Sequence, residues 1–352
     1  MIEDIITRSK AYYCVECRKC SSACPVTRVY GKFSPASMVE HSLIGIEDEI
    51  IYSYDIWKCL TCGICEKICP SGVDFLSFIK EIREIARENK NFGISAHENI
   101  FEEVACLFGK NDIFLEMNDV EIDDKSKILY FAGCLPIYDV FFDSIGFNGI
   151  AIAKNTIKIL NYFDIVPSVI FSCCGHDALW SGNKGIFEKM KRKNMEKIKN
   201  FEKIIFSCPE CYRTFKFDYK ANVEMMHISE FLAKKDFEEN LNKICTIHDS
   251  CRLGRHLGIY DEPREALKKI GCEIKEMEHS REASICCSTS AWMACDWMAE
   301  QLRKERLAEA EEQANLLITT CHKCKIHFLC TMSHEKYNIE VKDLVEVIGE
   351  AI

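Results

Sequence analysis

Cys14, Cys17, Cys20 and Cys24, closed by Pro25, form a run with gaps of two, two and three residues. The same run returns as Cys59, Cys62, Cys65 and Cys69, closed by Pro70, each cysteine 45 residues after its counterpart. Thiolates so spaced suit iron–sulfur chemistry: a tight loop wraps three corners of a 4Fe–4S cube, and the fourth cysteine crosses to the other cluster. Cys14, Cys17, Cys20 and Cys69 are thus expected to hold one cubane cluster, and Cys59, Cys62, Cys65 and Cys24 a second. The prolines turn the chain after each crossing ligand. Zinc fits poorly, because its structural sites close with four ligands in paired motifs.

A second, longer repeat follows. Cys134, Cys173-Cys174-Gly175 and Cys208-Pro209-Glu210-Cys211 recur as Cys251, Cys286-Cys287-Ser288 and Cys321-His322-Lys323-Cys324. The step is 113 residues for the paired cysteines and for both members of the Cys-x-x-Cys, and 117 from Cys134 to Cys251. A constant step at four of five cysteines marks a duplicated domain with one small change of length. Buried structural thiols are an alternative, since free cysteine packs as a small hydrophobe, but adjacent thiols repeated in two copies argue against it. A redox dithiol at Cys208/Cys211 or Cys321/Cys324 leaves three cysteines of each set unexplained.

The elements that must position these thiols differ between the two parts. Residues 1–90 carry little strand pattern and read as helices around the two cubanes. Residues 127–133 are a short apolar run ending at Cys134, as a buried strand would be, and 203–207 repeat that signal before Cys208. Ile152, Thr156, Ile159, Leu160 and Phe163 recur at helical spacing. In the second copy 245–250, 274–277 and 316–320 read as strands, and 263–270 (opening with Pro263) and 292–314 as helices. Strands alternating with helices imply α/β domains with mainly parallel sheets, with the cysteines at strand ends. The fold class expected is α+β and multidomain: 1–90 a helical double-cluster domain, 91–126 a linker, 127–243 and 244–352 two duplicated α/β domains.

Composition bounds the rest. The 352 residues are 48% hydrophobic and 28% charged, as in ordinary globular domains. The 23 cysteines would suggest disulfides only in a small scaffold from an oxidising compartment. A net charge of −10 argues against nucleic acid. No stretch is long and apolar enough to span a bilayer, and the acidic start Met1-Ile2-Glu3-Asp4 lacks the pattern of a signal peptide. A cytoplasmic location is expected, with attachment at the inner face of the membrane through a partner left open.

These residues resemble a known family. Segments 134–211 and 251–324 are similar to the cysteine-rich CCG domains of heterodisulfide reductase, and the N-terminal double run to that enzyme's ferredoxin-like electron-input module. With both on one chain, the D-type catalytic subunit is the nearest pattern. The likeness extends to Cys173-Cys174-Gly175-His176-Asp177 and to the run His248-Asp249-Ser250-Cys251-Arg252-Leu253-Gly254-Arg255-His256. It departs at Ser288, where the family has glycine, and at His322, where proline often sits. The resemblance implies one noncubane 4Fe–4S cluster on Cys134, Cys173, Cys174, Cys208 and Cys211, and another on Cys251, Cys286, Cys287, Cys321 and Cys324. Between them the mixed disulfide of coenzyme M and coenzyme B would be reduced, a step of methanogenesis. The implied redox partner is a flavoprotein subunit or a membrane b-type cytochrome.

His176, His248 and His322 lie beside these ligands. They either deliver protons to departing thiolates, with His176 and His248 as catalytic candidates, or donate hydrogen bonds to cluster sulfur, the more economical role. Cys106, Cys245, Cys272, Cys295 and Cys330 share no spacing between the copies and read as packing residues. Two functions remain in view. One is a disulfide-reducing enzyme. The other is an iron–sulfur electron-transfer subunit of a flavin-dependent dehydrogenase (glycolate, lactate or glycerol-3-phosphate type), passing electrons to quinone. Completeness of both five-cysteine sets favours the enzyme.

Overall fold

Ligand runs with gaps of two residues leave room only for short helices, and from residue 2 to 88 the backbone is helix, turn and loop. The computed structural model describes residues 2–110, 113–288, 290–293 and 295–352. The longest N-terminal helix, Phe75–Glu88, starts at an Asp74 cap whose side chain accepts from the Ser77 backbone N–H. Phe75, Phe78, Ile79, Ile82, Ile85 and Ala86 form its buried face. From the same face the wholly buried Arg83 donates to the carbonyls of Ile56, Trp57, Cys59 and Trp180. These residues belong to a first compact unit of residues 1–106, 175–188 and 288–302.

The second unit (107–174, 189–287 and 303–352) contains two four-stranded parallel sheets. Strands β1 (Ile128–Phe131), β2 (Ser168–Ile170), β3 (Lys203–Phe206) and β4 (Glu224–His227) pair in the order β2-β1-β3-β4. Strands β5 (Ile244–His248), β6 (Glu273–Ile274), β7 (Leu316–Thr319) and β8 (Glu340–Asp343) pair as β6-β5-β7-β8. The two orders are the same, so the duplication inferred from cysteine spacing is a duplication of topology. The central strands bury the apolar runs: Leu129, Tyr130 and Phe131 in β1, Ile204, Ile205 and Phe206 in β3, Leu317 and Ile318 in β7. Both edge strands β4 and β8 lead straight into helices closed by capping boxes, His227 with Glu230 and Asp343 with Glu346.

The fold class is the expected one, a helical cluster domain followed by two α/β copies. Several boundaries differ. The segment 91–126, read as a linker, contains the helix Ile100–Lys110. The helix expected at 292–314 runs Trp297–Glu311, because Ala291 and Trp292 sit at positive φ of 52° and 58°. Pro263 lies in the first turn of a helix that opens at Asp261. The strand expected at 274–277 is the two-residue β6. Strands β2, β4 and β8 carried no signal: β2 has three residues, and β4 and β8 are edge strands with charged ends.

Candidate metal centres

The two N-terminal cysteine runs wrap in the same way. Glu16 and Arg18 have φ of 51° and 57°; Thr61 and Gly63, their counterparts 45 residues on, have φ of 47° and 79°. Two left-handed residues between ligands fold the loop back on itself, at a conformational cost three of them bear without being glycine. Pro25 opens the helix Pro25–Tyr30 immediately after Cys24.

Cys14, Cys17, Cys20 and Cys69 line one cavity of about 460 Å³. Cys24, Cys59, Cys62 and Cys65 line another of about 310 Å³, and Cys65 borders both. The thiols of each expected set are electrostatic neighbours. Burial pushes the Cys20 thiol up, and its charged neighbours include Cys14 and Cys69. Burial pushes Cys24 up to about 12, with Cys62 and Cys59 beside it. Buried thiols that resist ionisation together fit a site built for a cationic metal core, which stabilises thiolates outright. Backbone N–H groups of Thr61 and Val73 point at the sulfurs of Cys59 and Cys69, both at 3.4 Å. The sets differ in depth. Cys24, Cys59, Cys62 and Cys65 are each 7% exposed, whereas Cys17 is exposed and Cys14, Cys20 and Cys69 are half-buried.

In the second unit, sheet order explains why distant cysteines meet. Neighbouring parallel strands β2, β1 and β3 end just before Cys173-Cys174, Cys134 and Cys208, so one sheet edge gathers the whole set. Cys211 hydrogen-bonds to Cys174 and Cys208, and burial adds to its raised pKa. Asn194 and Tyr219 fix the adjacent pair: Asn194 donates to the Cys173 carbonyl at 2.8 Å, and the Tyr219 hydroxyl donates to the Cys174 carbonyl at 2.9 Å. Sequence reasoning missed both, as neither stands at a recurring step from a cysteine.

In the second copy Cys286 and Cys251 sulfurs lie 4.0 Å apart, and Cys324 and Cys287 sulfurs 3.1 Å apart. Cys251 is pushed down to about 6 by a hydrogen bond from Cys286, against its burial, helped by the charges of Arg252 and Arg255. Cys287 is held well below the ordinary thiol range by Cys286 and Cys324, then by His327 and His248. His327 Nδ1 is 3.3 Å from the Cys287 sulfur. His248, Cys287 and Cys324 offer ligand atoms within 4.8 Å of one another. Ser288 adopts φ of 76° beside Gly175's 73°, so the glycine of the motif is a left-handed position; the serine is held there by its hydroxyl donating to the Ala299 carbonyl at 2.5 Å.

Of the candidate histidines, His176 is buried in the first turn of the helix His176–Trp180 and His248 ends β5. His322, first residue of the helix His322–Met332, is driven down to about 3 by burial and is neutral at physiological pH. His327 escaped the sequence reading; its signal is the three-residue step from Cys324, which puts both on one helix face. Cys245 and Cys272 are buried and hydrogen-bonded to each other, in keeping with packing. Cys106 and Cys330 are half-buried, and Cys295 is exposed and packs into no core.

The two copies form one body. The helix Pro209–Arg213 packs on the turn Arg252–His256, the helix Gly149–Tyr162 packs on Leu344–Ile348, and Glu210 and Lys323 join in an ion pair at 2.8 Å.

Residues 10–73 match the 4Fe-4S dicluster domain, and residues 128–216 and 245–329 match the cysteine-rich domain CCG. Fold, thiol sets and domain matches together define an iron–sulfur oxidoreductase that carries 4Fe–4S clusters. In this order of domains the chain is similar to the D-type subunits of heterodisulfide reductase. It is 28% identical to the D-type subunit of the dihydromethanophenazine:CoB–CoM heterodisulfide reductase of Methanosarcina mazei, over 91% of this chain and 82% of that one. It is 27% identical to the EtfAB:quinone oxidoreductase of Syntrophomonas wolfei, over 72% of this chain and 38% of that one. A hypothetical protein from Helicobacter pylori of known crystal structure shares the fold (TM-score 0.54, 11% identity, 99% of this chain and 71% of that one). Among the described residues, no helix is long and apolar enough to cross a membrane.

Proposed function

We propose that the chain reduces a small-molecule disulfide of the coenzyme M–coenzyme B type at two noncubane 4Fe–4S clusters, supplied with electrons by two cubane clusters. The observation that carries this reading is the presence of two complete five-thiol sets in one packed body. When bound, such clusters supply single electrons and a thiophilic metal surface for each half of the disulfide. The chain's own residues do the rest. Cys134, Cys173, Cys174, Cys208 and Cys211 would hold one group, and Cys251, Cys286, Cys287, Cys321 and Cys324 the other. Asn194 and Tyr219 fix the backbone of the first pair of cysteines. Arg252 and Arg255, both buried, counter the negative charge of the thiolates.

The same reading assigns Cys14, Cys17, Cys20 and Cys69 to the cubane that receives electrons, because its thiols reach the surface, and the buried set to the relay. The donor is a flavoprotein subunit or a membrane b-type cytochrome, which would keep this chain at the inner face of the membrane. The domain plan is 1–90 for the cubanes, 91–126 connecting, and 127–243 and 244–352 for the two CCG copies. The test is anaerobic assay of the reconstituted protein with reduced viologen and the coenzyme M–coenzyme B disulfide, together with metal analysis. About 16 irons per chain and disulfide-dependent oxidation of viologen are expected. About 8 irons would sink the two C-terminal clusters, and stoichiometric zinc the whole reading.

The relative named as an EtfAB:quinone oxidoreductase favours a second reading, an electron-transfer subunit serving a flavin-dependent dehydrogenase. Cys174→Ala and Cys287→Ala separate the two. On the first reading each abolishes disulfide reduction while the cubane signals stay reducible by dithionite. Near-normal turnover in Cys287→Ala would remove the two-cluster mechanism.

A further inference from the structure

The two five-cysteine sets have different surroundings. At positions matched by the repeat step, the second copy has His248 for Phe131, His327 for Thr214 and Lys323 for Glu210. In the first copy Phe131 packs with tilted rings against Phe206 and Phe215, centroids at 5.8 and 4.8 Å. In the second, two buried imidazoles approach the sulfurs. Arg306, which can only donate, gives its Nε–H to His248 Nδ1 at 3.2 Å. That bond places the imidazole proton on Nε2, a buried donor with no hydrogen-bond partner, while the ring lies within ligand reach of Cys287 and Cys324, where a cluster sulfur would receive it. Held as a thiolate on a cluster, the Cys287 sulfur can only accept, and His327 Nδ1, 3.3 Å away, is then its donor.

We propose that the second C-terminal site has the higher reduction potential of the pair, set by His248 and His327 as hydrogen-bond donors to its sulfurs; this rests on the reading that each set holds a cluster. Donors to cluster sulfur stabilise the more negative, reduced state and raise the potential. An aromatic surround disfavours the added charge and lowers it. Electrons arriving from the cubanes therefore settle first on the second site, and the two halves of a disulfide meet unlike centres. Arg306 acts as the positioning residue, holding His248 in the donating tautomer.

The test is an anaerobic potentiometric titration of the reconstituted full chain followed by electron paramagnetic resonance, with iron analysis of every sample. The second-site signal is identified by its loss in Cys287→Ala. Two C-terminal midpoints are expected, the second-site one higher. His327→Thr and His248→Phe, which install the first-copy residues, lower that midpoint alone, whereas His327→Gln, which keeps a donor, restores most of it. Thr214→His in the first copy raises the other midpoint and answers the question even where a second-copy variant fails to load iron. Coincident midpoints in the wild type, or variants that leave the second-site midpoint in place at full iron content, overturn the proposal. Wild-type iron of about 8 per chain instead overturns the cluster reading beneath it.

Discussion

Glu210 and Lys323 hold the same place in the two C-terminal copies, each third in its Cys-x-x-Cys, and they bind each other at 2.8 Å with both side chains nearly out of solvent. Residues at equivalent positions meet only where two copies face each other about a pseudo-twofold axis, so the pair marks where that axis runs. Two identical copies would set like charges against each other there. The copies had to become different to stay packed.

Removing one partner of this pair leaves a buried charge without its counterion. Lys323→Met is expected to cost about 3–5 kcal/mol, and Glu210→Met a similar amount. The double variant Glu210→Met/Lys323→Met should return close to wild-type stability, since well-packed apolar pairs replace buried ion pairs at little cost. Denaturant titration of the four proteins checks the cycle; additive losses in the double variant would contradict it.

Arg83 binds four backbone carbonyls, among them that of Cys59, one of the buried N-terminal thiols. Arg83→Met should destabilise the protein by about 3–5 kcal/mol, because several buried acceptors lose their donor at once. Iron analysis with spectroscopy should find the cluster of Cys24, Cys59, Cys62 and Cys65 depleted before that of Cys14, Cys17, Cys20 and Cys69. The reverse order would count against this role.

Cys24 is the sharpest probe of the proposed ligand sets, which give it to the cluster of the other run. Cys24→Ala should damage mainly the cluster otherwise held by Cys59, Cys62 and Cys65. Spectra that lose only the other cubane would contradict the ligand sets.

At Ser288 two effects oppose each other. Glycine would relieve about 1 kcal/mol of left-handed strain but forfeit a hydrogen bond of similar worth. Ser288→Gly is therefore expected within about 0.5 kcal/mol of wild type. Ser288→Ala keeps the strain and loses the bond, and should cost about 1–2 kcal/mol in thermal or denaturant unfolding.

Asp343, the cap of the last α-helix, is pushed up from 3.8 to about 8, chiefly by burial and then by the nearby charge of Glu346. The folded protein holds a proton that the unfolded chain releases above about pH 4. Stability from this group is full below that pH and is lost as pH rises through 8. Asp343→Asn preserves the cap and should be more stable than wild type at about pH 8 by about 1–3 kcal/mol, the gain shrinking toward about pH 5. Unfolding measured across that range decides; a gain independent of pH would contradict the protonated state.

All eighteen repeat cysteines could be found from sequence, because iron–sulfur ligation fixes short spacings that survive any change in the scaffold around them. The central strands β1, β3, β5 and β7 were equally legible, as buried parallel strands are continuous apolar runs. Strands β4 and β8 were not, since an edge strand buries one side and takes its definition from a neighbour distant in sequence. The supports of the second-copy site failed for a related reason. His327 is one helical turn from Cys324, but Arg306 reaches His248 from 58 residues away, through a packing that no local pattern records.

The unequal depth of the two cubane sites has a bearing on life with oxygen. Sulfur is oxidised where it can be reached, and of the eight N-terminal ligands only Cys17 is exposed. If the set that includes Cys17 holds the cluster that receives electrons, as proposed, a trace of air would injure it first and cut the supply of electrons while the deeper centres were still whole. A damaged chain would fall silent before its inner chemistry was spoiled, leaving repair a matter of rebuilding one cluster at the surface.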